Sequence, residues 1–135
     1  MKYHELLLIG AVPEAGEEAA RWVEASCDRF GFAGTPVNEL ALCVVEAVNN
    51  SIEHAYGAIP GEVTLSLTAD HGSVRVVISD RGAGPADDAI TEPAADAMRG
   101  RGRWIMSRWC DSVSYERTPT GFRTVLTKHC ATQAA

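Results

Sequence analysis

The stretch VEAVNNSIEHAY, residues 45–56, spaces Glu46, Asn50 and His54 four residues apart. On a helix, that spacing puts them on one stripe with their Cβ atoms about 5–6 Å apart. The stripe runs beside apolar positions, so it should border a pocket rather than open solvent. An amide oxygen is a good ligand for magnesium, and a nearby carboxylate can act as a base. A solvated polar edge of an amphipathic helix would carry the same residues. A second stretch, SDRGAGP at 79–85, ends a strand pattern on Asp80. Its carboxylate could accept a hydrogen bond from an amino group such as adenine's. Gly82 and Gly84 would let the backbone approach a ligand and hinge the following loop, and they equally suit a plain tight turn. The third stretch, RGRGRW at 99–104, enters a helix. Helix N-termini offer free amides and a positive dipole end to anions. Gly100 and Gly102 would allow close approach there, and Arg99, Arg101 and Arg103 add charge that complements phosphate.

The surrounding patterns say which elements must position these residues. YHELLLIGAV reads as a strand closed by Pro13. PEAGEEAARWVEASCDRFGF follows as a helix, with Ala19, Trp22, Val23, Cys27 and Phe30 at helical spacing and Gly31 as its stop. A second helix is expected from Thr35 or Pro36 to just before Gly57, burying Leu40, Val44, Ala47 and Val48 and continuing to Ile52 and Ala55. The period then changes to two: Val63, Leu65 and Leu67 share a face, DHG turns, and residues 62–80 read as a hairpin. Residues 81–102 show no sustained hydrophobic period and read as a long loop. RWIMSRWCDSV is expected as a third helix, SVSYERTPTGFRTVLTK as a hairpin turning near Pro119 to Gly121, and HCATQAA as a frayed tail. Helices bunched beside a mostly antiparallel sheet make an α+β, two-layer sandwich. With no internal repeat, all 135 residues are expected to form one domain.

Composition narrows the function. The balance of 12 basic against 18 acidic residues gives a net charge of −6, which argues against nonspecific nucleic-acid binding through phosphate neutralisation. The N-terminal apolar run is too short for a signal peptide. Nothing approaches the roughly 20 apolar residues of a membrane span, so a cytoplasmic protein is expected. Cys27, Cys43, Cys110 and Cys130 form no CxxC pair and read as reduced, buried small hydrophobes. A metal site built on His4, His54, His71 and His129 lacks ligand-like spacing. No GxxxxGK[ST] motif occurs, and GAGPAD lacks the third glycine of a dinucleotide fingerprint.

Taken in this order on these elements, the three stretches resemble the N, G1 and G2 boxes of the GHKL ATPase superfamily, which includes gyrase and the histidine kinases. Its members share the Bergerat ATP-binding fold, a mostly antiparallel sheet with helices on one face. The short chain and the EAVNNSIEHAYG form are similar to the anti-sigma-factor serine/threonine kinases of bacterial partner switching. The resemblance spans essentially the whole chain and implies ATP and Mg²⁺ as ligands, with an ATP lid at about 83–102. It implies Glu46 as the general base and Asn50 as the magnesium ligand. Asp80 would recognise the adenine amino group, beside the G1 glycines Gly82 and Gly84. Gly100, Arg101, Gly102 and Arg103 would hold the phosphates. His54 and Tyr56 match a recurrent pattern and need not touch the nucleotide. The implied partners are an anti-anti-sigma (STAS) protein phosphorylated on serine or threonine, a sequestered sigma factor, and a second copy in a homodimer. The chain departs from the family at Arg103, where an apolar residue is usual, and at Phe122, where threonine usually follows the glycine. Asn49 adds an amide with no assigned role. A rival reading is a non-catalytic ATP-binding or sequestering module of the same fold; another is the catalytic fragment of a histidine kinase.

Overall fold

The computed structural model describes residues 2–56, 61–82 and 101–130, with residues 101–103 as backbone. Eight elements follow in order: β1 (Lys2–Gly10), α1 (Ala15–Arg29), α2 (Thr35–Ala55), β2 (Glu62–Asp70), β3 (Ser73–Asp80), α3 (Arg101–Trp109), β4 (Ser112–Thr118) and β5 (Gly121–His129). The strands form one five-stranded sheet in the order β1-β2-β3-β5-β4, and every neighbouring pair is antiparallel. The helices pack on one face, giving the α+β two-layer architecture the patterns imply.

Local chemistry explains the boundaries. Gly31 has φ 86°, and around it the Phe32 and Gly31 amides donate to the carbonyls of Cys27 and Asp28. This paired closure needs a left-handed residue that glycine supplies without strain. Glu17 and Glu18 in the first turn of α1 and Arg29 in the last complement the helix dipole. The β2–β3 turn places both His71 (φ 49°) and Gly72 (φ 79°) at positive φ, the hand that matches a twisted two-residue hairpin.

The core lies between α1, α2 and the sheet. Leu40, Val44, Ala47 and Val48 of α2 meet Val63, Leu65 and Leu67 of β2 and Val76 and Ile78 of β3, all essentially without solvent contact. Tyr3 and Phe30 stack at 4.4 Å between ring centroids, tying β1 to the end of α1. The four cysteines are free and buried. Although they are scattered in sequence, the Cys43 and Cys110 thiols hydrogen-bond each other. Burial pushes the Cys27 thiol up to about 12.

Two sequence expectations are corrected. The third helix begins at Arg101, two residues before the expected start, and ends at Trp109 rather than running to Val113. Lys128 donates to the Trp109 carbonyl, the Asp111 amide donates to Thr127 at 3.0 Å, and the His129 amide donates to Asp111 Oδ2 at 2.6 Å. Those bonds draw the chain into the sheet before another turn can form. The expected frayed tail is also corrected at its first two residues. His129 completes β5, and Cys130 is buried with its amide 2.7 Å from the Gly72 carbonyl. Residues 131–135 and most of the expected loop at 81–102 lie outside the described residues.

Candidate functional site

Strand register builds the site. Asp80, the last residue of β3, pairs with Phe122, and Ile78 two residues earlier pairs with Thr124. Tyr115 of β4 lies opposite Thr124 in turn. Side chains two residues apart on a strand share a face, so Asp80, Phe122, Thr124 and Tyr115 converge at one end of the helix-covered side. From α2 come Asn50, Ser51 and His54. Together these residues line a small cavity of about 20 Å³. The sequence therefore placed Asn50 and Asp80 30 residues apart, and the fold brings them to one wall.

Asp80 is 8% exposed, and its Oδ1 accepts the Gly82 amide at 2.8 Å. The turn is thereby held by the carboxylate it follows. Glu46, one turn before Asn50 on the same helix, is partly buried, and burial raises its carboxyl above the usual carboxylate range. It does not line the cavity among the described residues. His54 is exposed at the cavity's edge. Asn49 faces elsewhere: a Cβ on Gly16 would come 2.9 Å from its Oδ1, so it packs over α1.

The glycines have a role that spacing did not suggest. A Cβ on Gly82 would sit 2.5 Å from Ala55 Cα and 2.6 Å from Ala55 Cβ. One on Gly121 would collide with the Asp80 carbonyl and lie 2.8 Å from Arg81 Cα. Both glycines thus let three chain segments close around the Asp80 turn. Neither is among the glycines with positive φ, so bulk rather than backbone dihedral is the constraint.

Arg101, Gly102 and Arg103 form the first turn of α3, where helix amides lack intrahelical acceptors, and α3 packs against α2. Gly84 and Gly100 lie outside the described residues. Sequence reasoning missed Ser51, Tyr115 and Thr124. Thr124 was open to recovery, because strand alternation places it on the face of Phe122, a residue already singled out.

The sequence profile of the histidine kinase-like ATPase domain matches residues 9–128, from the end of β1 to near the end of β5. The chain belongs to that family. A serine/threonine-protein kinase of Bordetella bronchiseptica, BtrW, is 26% identical over 137 residues, covering 96% of this chain and 96% of that protein. A crystal structure of the RsbU and RsbW domains of a Mycobacterium tuberculosis protein superposes with a TM-score of 0.70 at 16% identity, covering 98% of this chain. This chain spans 33% of that longer one. The histidine kinase domain of a blue-light activated histidine kinase from Erythrobacter litoralis superposes with a TM-score of 0.56 at 22% identity, over 84% of this chain and 60% of that one. These two structures bear on the fold alone. Among the described residues of this histidine kinase-like domain, no helix is long and apolar enough to cross a membrane.

Proposed function

We propose that this domain is an ATP-dependent serine/threonine protein kinase of the anti-sigma-factor type, acting on an anti-anti-sigma (STAS) protein and sequestering a sigma factor. The observation that carries this reading is the shared cavity of Asn50 and Asp80, with partly buried Glu46 one helical turn away. The similarity to BtrW, named a serine/threonine-protein kinase, along nearly the full length supports it. The remaining expectations are kept within it: one domain over residues 1–135 with a lid at about 83–102, a cytoplasmic homodimer, and no direct contact with nucleic acid.

In this mechanism Asp80 accepts a hydrogen bond from the adenine amino group on the oxygen that Gly82 does not occupy. Gly84, beyond the turn, and Gly100 would shape the lid, while the Arg101–Arg103 amides and guanidinium groups would hold the phosphates. Among the described residues no group of three or more His, Cys, Asp or Glu could hold a metal ion. A single amide oxygen from Asn50 would suit an ion that takes its other ligands from phosphates and water, as magnesium does. Magnesium, when bound, supplies neutralising charge at the phosphates. Glu46 accepts the proton of the substrate hydroxyl as the new O–P bond forms, the bond to the β-phosphate oxygen breaks and ADP leaves. A carboxyl with raised proton affinity is the stronger base for that step once ionised.

The test is incubation of the protein and a STAS-domain substrate with radiolabelled ATP and magnesium. Label on the substrate with wild-type protein, and none with Glu46→Gln, is expected. Equal labelling by the variant refutes the base, and no ATP binding by calorimetry refutes the kinase. A second reading, the sequestering module, rests on Phe122, whose buried ring stands opposite Asp80. It predicts partner binding without label transfer.

A further inference from the structure

Tyr56 closes α2, and its hydroxyl makes two bonds away from the helix. It donates to the Glu62 carbonyl at 2.7 Å and accepts the Arg81 amide at 3.2 Å. The next amide along, that of Gly82, is held by Asp80 Oδ1. Successive amides of one turn are thus gripped from two sides, by a phenol on α2 and by the carboxylate proposed to read the base. Glu62 pairs with Gly10 in the sheet, so the phenol is anchored to the framework. A Cβ on Gly61 would collide with the Tyr56 ring, which therefore lies directly on the start of β2. Only a group that donates and accepts at one atom satisfies both partners, and among ring side chains of this shape tyrosine alone does so.

We propose that Tyr56 is a positioning residue for nucleotide recognition: its hydroxyl sets where the Asp80–Gly82 turn stands relative to Asn50 on the same helix. The inference rests on the nucleotide reading above and deepens it. Base contact at Asp80 and contact with the phosphate-bound ion at Asn50 must be met by one ligand of limited reach, so the distance between turn and helix decides whether both form at once. Tyr56 joins the two supports directly, while the ligand touches neither of its bonds.

The experiment is calorimetric titration of wild type, Tyr56→Phe, Asp80→Asn and the double variant with Mg-ATP, and separately with magnesium tripolyphosphate, which has no base. Tyr56→Phe should weaken ATP about tenfold, the equivalent of one hydrogen bond, and leave tripolyphosphate affinity unchanged. In the Asp80→Asn background it should add nothing, because its effect runs through Asp80. Without ligand, the Arg81 amide of Tyr56→Phe should exchange hydrogen faster than in wild type. Unchanged ATP affinity, a parallel fall for tripolyphosphate, or additive effects with Asp80→Asn would each overturn the inference while the nucleotide reading stands. Wild-type protein that binds neither ligand overturns both together.

Discussion

Gly82→Ala separates two reasons for a glycine beside a ligand cavity. If Gly82 is there for the helix, the new methyl meets Ala55 Cα at 2.5 Å and Ala55 Cβ at 2.6 Å. Carbon atoms rest about 3.5–4.0 Å apart, so one backbone must retreat by about 1 Å, and neither contact can rotate away. Gly82, held through its amide by the Asp80 carboxylate, is expected to move rather than the α2 backbone. Moving it by that much stretches the 2.8 Å bond from the Gly82 amide to Asp80 beyond hydrogen-bonding range. Overpacking of this kind costs about 1–3 kcal/mol, and at this chain length each kcal/mol lowers Tm by about 3–5 °C. A displaced Asp80 carboxylate would lose the charged hydrogen bond proposed to the base, about 1.5–3 kcal/mol, so ATP should bind roughly 10- to 100-fold more weakly. Calorimetry with Mg-ATP on Gly82→Ala and on Gly82→Ala/Ala55→Gly provides the assay. Removing the Ala55 methyl relieves the 2.6 Å contact but leaves Ala55 Cα at 2.5 Å, so the double variant should regain only part of the affinity, and glycine near the helix end costs about 1 kcal/mol of stability. If Gly82→Ala weakens ATP binding with no fall in Tm, the Gly82 site faces the ligand rather than α2 and the packing argument is wrong.

Burial holds the Glu46 proton more tightly in the folded than in the unfolded chain. Phosphoryl transfer should therefore fall as pH drops, with a midpoint above the usual carboxylate range; a rate flat through that range would count against Glu46 as base. By linkage, stability tied to this proton is present at low pH and is lost as pH rises through the folded-state value. Glu46→Gln should accordingly raise Tm at alkaline pH and lose that advantage in acid, which thermal melts across pH will check. Asn50→Ala should erase the difference between ATP affinities measured with and without magnesium, and a persistent difference would place the ion elsewhere. Lys128 bonds Glu39 at 3.1 Å and the Trp109 carbonyl, with both ionic side chains mostly shielded. Lys128→Ala should cost about 2 kcal/mol in denaturant unfolding with ATP affinity unchanged, and a cost below about 0.5 kcal/mol would show the pair to be incidental.

Much of this was written in local sequence. The alternation of Val63, Leu65 and Leu67, the His71–Gly72 turn, the stop at Gly31 and the four-residue spacing of Glu46, Asn50 and His54 each depend on neighbours a few residues away. Periodicity and backbone preference report such things directly, and they were enough to give the α+β class and to bring Asn50 and Asp80 forward as candidates. The end of α3 was not legible, because Lys128, Thr127 and His129, which terminate it, lie almost 20 residues further on. Nor was the Cys43–Cys110 contact, since residues 67 positions apart in the chain are brought together only by the tertiary fold. The cavity wall depends on β3 pairing with β5 rather than with the strand next in sequence. Only that register sets Phe122 against Asp80 and Thr124 against Ile78. Gly82 and Gly121 show the same division: the sequence marks flexible positions, while three segments closing around one turn decide that nothing larger fits. Local patterns select elements because their physics is short-ranged, whereas sites form where distant segments exclude each other's volume and satisfy each other's hydrogen bonds.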